Sequence, residues 1–127
     1  MKKNKLFDLK RFFHSFGYAY EGIKHTLKTG QNIGVMLLIA AIALTLGIVL
    51  DISYLEKLIL VLVIGFVLSL ELINTAIEAA IDLHDGNSKS KYGKIAKDCA
   101  SGAVLVASFF ALVIGIMVFL PRIIDLF

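Results

Sequence analysis

Residues 99–120 read CASGAVLVASFFALVIGIMVFL and contain no charged side chain. A helix needs about 20 apolar residues to cross a hydrocarbon core about 30 Å thick, so this stretch predicts a transmembrane helix. Residues 29–50, TGQNIGVMLLIAAIALTLGIVL, are also uncharged. A third apolar run, residues 58–70, is too short to span alone, and its helical pattern continues through Glu71 and Glu78. We therefore predict transmembrane helices over 32–51, 54–83 and 94–120.

The composition agrees with a membrane class. The chain has 127 residues, of which 58% are apolar and 18% charged, and its mean hydropathy is +0.85. Soluble domains are about 45–50% apolar, and a chain this short has too little interior to hide the excess. A single cysteine excludes a disulfide scaffold. The sequence thus predicts an all-α membrane protein that forms one membrane domain, residues 1–127.

The N-terminal segment predicts an amphipathic helix over residues 5–28. Its apolar side chains recur at alternating spacings of three and four, which places them on one helix face. They are Leu6, Leu9, Phe13, Phe16, Tyr20, Ile23 and Leu27. Lysine and arginine occupy many of the other positions, as in helices that lie in the membrane interface.

Basic residues indicate the orientation. Seven lysines and arginines precede the first predicted span, one lies in the first connection, four lie in the second and one follows the last span. Because cytoplasmic segments carry the excess of these residues, the N-terminus and the second connection are predicted to be cytoplasmic and the C-terminus outside. The basic residues thus determine the orientation in the membrane and are expected to contact anionic lipids, and no nucleic-acid partner is expected.

Polar residues interrupt the second predicted span. Residues 71–82 read ELINTAIEAAID, and the helical repeat places Glu71, Asn74, Glu78 and Asp82 on one face. An ionised side chain that faces lipid would cost roughly 2.5–3.5 kcal/mol. This face is therefore expected to contact protein, a cation or water.

The third predicted span begins beside this face, with Lys94, Lys97, Asp98 and Ser101. Carboxylates and an amide oxygen suit a hard cation such as Mg²⁺, and lysines suit phosphate oxygens. The alternative is an ion-paired polar core, for example Glu78 with Lys97, that holds the helices together. The residues alone leave both interpretations open.

Two motifs resemble a known family. ELINTAIE at 71–78, followed by KDCASGAV at 97–104, is similar to the small bacterial membrane lipid kinases, the prokaryotic diacylglycerol kinase and undecaprenol kinase family. The resemblance implies a homotrimer in the bacterial inner membrane, with sites shared between subunits. It also implies transfer of phosphate from MgATP to a lipid hydroxyl.

The same resemblance implies roles for individual residues. Glu71 would be the general base, and Glu78 would bind Mg²⁺ with support from Asn74. Lys97 would bind the ATP phosphates, and Asp98 would contact the nucleotide or support Lys97. The full set of nucleotide-binding residues implied is Arg11, Asn74, Glu78, Lys97 and Asp98.

One position departs from the family pattern. Members usually carry a glutamate two residues before the asparagine that leads into the first span, whereas this chain has Gly30 before Asn32. Because this carboxylate is missing, the alternative is that the chain is a family member with weakened catalytic activity. We expect undecaprenol as the acceptor, with diacylglycerol as the alternative. A proton-coupled transporter that uses Glu71 and a non-catalytic oligomer are the competing classes.

Small residues recur every fourth position along the third predicted span. Such ridges allow helices to approach closely, within a chain or between chains. The members are Ala103, Ala107, Ala111 and Gly115. Three helices can shield so polar a site from lipid only in part. We therefore expect an oligomer, and the ridge of small residues would allow its chains to pack closely.

Overall fold

The chain is all-helical. The computed structural model describes residues 9–30, 32–86 and 89–127. The helices within these ranges are α1 (Leu9–Thr29), α2 (Ile33–Val49), α3 (Tyr54–Asp85) and α4 (Lys91–Ile124). The first residues of the predicted N-terminal helix, 5–8, lie outside the described ranges. The fourth helix extends beyond the predicted range at both ends.

The first helix, α1, keeps its apolar stripe exposed. Phe13, Phe16 and Tyr20 are each at least 60% exposed, and the rings of Phe12 and Phe16 meet edge to face with centroids 5.2 Å apart. On a neighbouring face, Thr26 is buried, where α1 contacts α2 and α3. An exposed aromatic stripe above a packed face is the arrangement expected of a helix at a membrane surface.

The long helices begin at caps that the sequence supplies. At the start of α3, the Ser53 hydroxyl accepts from the Glu56 amide at 3.3 Å, and the Glu56 carboxylate accepts from the Ser53 amide at 2.7 Å. This reciprocal pair is a capping box, which satisfies two amides that a helix start leaves unpaired. The helix ends at Gly86, whose φ of 55° lies in the left-handed region that glycine adopts without strain.

Two of the described helices are individually long and apolar enough to cross a membrane, namely α3 with 32 residues and α4 with 34 residues. The second helix, α2, has 17 residues, which at the helical rise is about 26 Å. It follows α1 at a bend of 101°. A third crossing therefore depends on how this bent pair meets the bilayer.

The best-packed part of the bundle lies at the α2–α3 connection. Ile52 is 1% exposed and packs with Leu60 of α3 and Val118 of α4. Beside this cluster, the Arg122 guanidinium lies 2.9 Å from the Glu56 carboxylate and donates to the Asp51 carbonyl at 3.2 Å. These contacts fasten the connection to α4 at one end of the bundle.

An apolar groove of about 630 Å³ runs between α2 and α4, with α3 as its floor. Its walls include Ala40 and Leu46 of α2, Val67 of α3 and Gly115 and Phe119 of α4. The groove ends near the polar residues that the sequence analysis identified. The apolar groove of a single chain therefore leads to a cluster of polar residues.

Candidate active site

The polar face of α3 lines a cavity of about 290 Å³ between the start of α2, the second half of α3 and the first half of α4. Alternating spacings of three and four residues along α3 bring its contributors to one side of the helix. The polar lining residues are Asn32, Glu71, Asn74, Glu78, Ser101 and Ser108. The structure thus brings three of the predicted site residues together, Glu71, Asn74 and Glu78.

The Glu71 side chain is the most enclosed carboxylate of this cavity. The residue is 3% exposed, and its side chain makes no hydrogen bond or ion pair to any residue in the described ranges. A buried carboxylate without a partner is costly unless it binds a proton or a ligand group. Glu71 is therefore the carboxylate of this cavity that most requires a proton or a ligand group.

The Asn74 amide makes hydrogen bonds with two side chains, those of Glu78 and Ser101. Its Nδ2 donates to Oε1 of Glu78 at 3.2 Å, and its Oδ1 accepts from the Ser101 hydroxyl at 3.4 Å. Asn74 is 8% exposed, whereas its two partners are more open, so both contacts are partly buried. The amide orients the Glu78 carboxylate and ties α3 to α4 at the level of the cavity.

The basic residues lie at the edge of the site. Lys97 pairs with Asp82 and Lys94 with Asp98, the latter at 2.7 Å. Lys97 is one helical turn before Ser101, but neither Lys97 nor Asp98 lines the cavity. The pair formed by Lys97 differs from the Glu78–Lys97 pair considered above, because Asp82 lies one turn further along α3 and nearer the start of α4.

Arg11 lies in the first turns of α1 with its side chain exposed. It is not among the residues that line the cavity. The structure therefore places Arg11 on the surface helix and leaves its predicted nucleotide contact as a prediction.

The donor set of the cavity fits a hard cation. Two carboxylates, two amides and two serine hydroxyls supply only oxygen ligands apart from the amide nitrogens. Among the described residues, no group of three or more histidine, cysteine, aspartate and glutamate side chains is arranged to hold a metal. Mg²⁺ commonly uses one or two protein carboxylates and completes its shell with phosphate oxygens and water. The residues present fit that mode.

The atoms around Gly30 leave no room for a side chain at this position. A Cβ atom at this position would lie 2.6 Å from the Thr26 carbonyl oxygen and 3.3 Å from Cγ2 of Ile33. The Gly30 amide donates to the same carbonyl at 2.7 Å. A carboxylate side chain at residue 30 would therefore require a shift of the backbone between α1 and α2.

Ser108 was not singled out from the sequence, although it lines the cavity. It follows Ser101 by seven residues, which places both hydroxyls on the same face of α4. That spacing is the signal that could have identified it. Ser108 and Met36 also line the apolar groove, so they mark the point where the cavity and the groove meet.

Comparison with known proteins places the chain among characterised relatives. A model of the family described as prokaryotic diacylglycerol kinase matches residues 17–119. The chain is 40% identical over 115 residues to the undecaprenol kinase of Bacillus subtilis (strain 168), which covers 91% of this chain and 93% of that protein.

A second relative is the diacylglycerol kinase of Synechocystis sp. (strain ATCC 27184 / PCC 6803 / Kazusa). It is 36% identical over 112 residues, which cover 88% of this chain and 64% of that protein. The matched family region contains every residue of the cavity described above. The chain therefore belongs to the prokaryotic diacylglycerol kinase family, a family of membrane lipid kinases.

Proposed function

We propose that this protein transfers the γ-phosphate of MgATP to the hydroxyl group of a membrane lipid, with undecaprenol as the acceptor. The observation that carries the proposal is the enclosed Glu71 carboxylate, which shares one cavity with Glu78 and Asn74. Phosphoryl transfer needs mainly positioning and neutralisation of charge. The cavity offers a base and a cation-binding carboxylate within two turns of one helix.

Glu71 acts as the general base. The lipid oxygen attacks the γ-phosphorus, its O–H proton passes to the Glu71 carboxylate, and the bond from the γ-phosphorus to the bridging oxygen breaks to release ADP. A base of this kind must lie within hydrogen-bond reach of the hydroxyl. The absence of any protein partner for the Glu71 carboxylate, among the described residues, is consistent with this role.

Glu78 binds Mg²⁺, and Asn74 supports it. When bound there, Mg²⁺ would supply positive charge to the phosphate oxygens of the nucleotide. The contact of 3.2 Å between Asn74 and Glu78 supports this assignment, because the amide orients the carboxylate. Lys97 binds the phosphates, with Asp98 and Arg11 contributing to the nucleotide site from the edge of the cavity.

The apolar groove supports a lipid acceptor. It adjoins the cavity at Met36 and Ser108 and runs between α2 and α4. A hydrocarbon chain lying there would present its hydroxyl to Glu71. Identity and coverage are both higher for the undecaprenol kinase relative, at 40% and 93% of that protein, which favours undecaprenol. The diacylglycerol kinase relative makes diacylglycerol the second candidate acceptor.

The protein is proposed to lie in the bacterial cytoplasmic membrane as a homotrimer with shared active sites. In this arrangement α2, α3 and α4 cross the bilayer, the N-terminus and the α3–α4 connection are cytoplasmic, and the C-terminus is outside. The ridge of small residues along α4 supports association, because such ridges allow helices of different chains to approach closely.

Transfer of labelled phosphate tests the proposal. The purified full-length protein is incubated with γ-labelled ATP, Mg²⁺ and either undecaprenol or diacylglycerol in mixed micelles. We expect labelled undecaprenyl phosphate, faster than labelled phosphatidic acid. Glu78→Gln should abolish the product, whereas Asp125→Asn, an acid-to-amide change beyond the far end of α4, should retain it. Failure of the wild-type protein to label either lipid would contradict the proposal.

A further inference from the structure

The serine and threonine hydroxyls of the helices are almost all engaged within the protein. Five of them donate to the carbonyl oxygen four residues earlier, at 2.7–3.2 Å: Thr26, Thr29, Thr45, Ser69 and Thr75. Ser15 donates to the carbonyl of Phe12, and Ser101 donates to Asn74. A helix offers this carbonyl to any serine or threonine, so its use is the default in apolar surroundings.

Ser108 is the exception among the serines and threonines that the structure describes. Its hydroxyl makes no hydrogen bond to any described residue, although the residue is partly buried within α4. It lines both the polar cavity and the apolar groove. The Ser108 hydroxyl is accessible from the cavity and is not used by any described residue, so it can donate to a ligand group there. The position of Ser108 therefore points to a ligand group at the junction.

The contact between Ser101 and Asn74 shows that these two residues lie at the same height along the antiparallel helices α4 and α3. From Ser101, Ser108 lies seven residues further along α4, or about 10 Å. From Asn74, Glu71 lies three residues back along α3, or about 4.5 Å in the same direction. Ser108 is thus about 6 Å further from the α3–α4 connection than Glu71.

Glu71 and Ser108 line the same cavity, so an oxygen atom inside it can approach both side chains. Hydrogen bonds between hydroxyl and carboxylate oxygens are about 2.5–3.0 Å long, so two in sequence span about 5–6 Å. That span matches the difference in level between Glu71 and Ser108. The levels of the two side chains along the bundle are thus compatible with one alcohol oxygen bonded to Glu71 on one side and to Ser108 on the other.

We propose that Ser108 is an acceptor-binding residue, whose hydroxyl donates to the oxygen of the lipid's reacting hydroxyl while Glu71 accepts the proton of that group. This inference rests on the proposed function. Ser108 keeps its own proton throughout the transfer, because the proton released by the acceptor goes to Glu71. The contact holds the alcohol oxygen at the end of the groove, where the hydrocarbon chain behind it enters apolar surroundings.

Kinetics of Ser108 variants in the full-length enzyme test the assignment. In Ser108→Ala we expect kcat/KM for undecaprenol to fall about two- to tenfold, the loss of one neutral hydrogen bond. The KM for ATP and the thermal midpoint should stay unchanged, because the hydroxyl contacts neither nucleotide nor protein. Ser108→Thr, which keeps a hydroxyl, should recover most of the activity. Ser69→Ala is the matched control, since Ser69 already donates to Gly65, and it should behave as wild type.

The outcomes separate the two proposals. An active wild-type enzyme with unchanged acceptor kinetics in Ser108→Ala would overturn the assignment of Ser108 and leave the kinase function intact. A loss that appears equally in the KM for ATP, or a loss confined to diacylglycerol, would also overturn it, because the proposed partner is the reacting hydroxyl common to both lipids. A wild-type protein without transfer activity would overturn both proposals.

Discussion

The side-chain nitrogen of Asn74 lies 3.2 Å from Oε1 of Glu78, one helical turn further along α3. Ser101 of α4 approaches the oxygen of the same amide at 3.4 Å. One short side chain thus links the Glu78 carboxylate of α3 to Ser101 of α4. If Glu78 holds the cation as proposed, Asn74 orients its ligand.

Replacing Asn74 should weaken the response to Mg²⁺. In Asn74→Ala the Glu78 carboxylate loses its orienting contact, and loss of such supporting groups typically lowers metal affinity or activity about 10- to 100-fold. We expect the Mg²⁺ concentration that gives half-maximal transfer to rise within that range. A Mg²⁺ titration of the initial rate at fixed ATP and lipid measures it.

Ser101→Ala provides the matched comparison, because it removes the partner on the other side of the amide. Its contact with Asn74, at 3.4 Å, is longer than the usual bond of a hydroxyl and therefore weak, so the expected change in Mg²⁺ response is about threefold or less. Equal effects of the two substitutions would show that the link between helices, rather than the contact with Glu78, dominates.

Lys97 should contribute to ATP binding more than Lys94. Both lysines are paired with aspartates, but Lys97 lies only one turn from Ser101 at the cavity edge. Replacing Lys97 by Met should raise the KM for ATP about tenfold or more, since it removes a hydrogen bond to charged oxygens. Steady-state kinetics at saturating lipid measure the change, and Lys94→Met is the control.

Asp82→Asn sharpens this prediction. Neutralising Asp82 frees Lys97 from its partner, so the KM for ATP should fall or stay unchanged. An increase comparable to that of Lys97→Met would indicate that the Lys97–Asp82 pair acts as a unit in nucleotide binding, and it would contradict a direct phosphate contact by Lys97 alone.

Side chains at residue 30 should destabilise the fold. In Gly30→Ala the added Cβ would lie 2.6 Å from the Thr26 carbonyl oxygen, and such overpacking typically costs about 1–3 kcal/mol. We expect a lower thermal midpoint in detergent. Gly34→Ala, where an added Cβ meets nothing within 4 Å, should leave the midpoint unchanged or raise it. A Gly30→Ala protein as stable as wild type would contradict the close packing of α1 against α2.

The contact between Arg122 and Glu56 should stabilise the opposite end of the bundle. The two charges meet at 2.9 Å and are partly shielded from solvent. Arg122→Ala should lower the free energy of unfolding, because it removes the contact with Glu56 and the hydrogen bond to the Asp51 carbonyl. Adding Glu56→Ala should cost less than the sum of the single changes, because the two residues are in contact. Additive losses would show that the pair contributes nothing beyond its separate side chains.

The face of α3 that carries the site could be predicted from the sequence. Glu71, Asn74 and Glu78 follow the helical repeat, so they share one face. Because charged side chains are costly against lipid, that face must contact protein, a ligand or water. The helical class and the amphipathic character of the segment before α2 followed from similar periodicities. These features depend on spacing within one helix, which a single sequence displays directly.

Contacts between helices could not be obtained in the same way. Lys97 meets Asp82 across the α3–α4 connection, and Arg122 meets Glu56 from 66 positions away. Their partners depend on how far each helix slides along its neighbour, which periodicity does not determine. The unpaired state of the Ser108 hydroxyl and the junction of cavity and groove likewise follow from packing of three helices.

The most direct test of the kinase mechanism is the turnover number of Glu71→Gln. Glutamine keeps the shape of the side chain but cannot accept the lipid's proton. Because general base catalysis contributes about 10²- to 10⁴-fold, kcat for undecaprenol phosphorylation should fall by that factor while the KM for ATP stays near its wild-type value. A Glu71→Gln enzyme that retains kcat within a few-fold of wild type would contradict a catalytic base at Glu71.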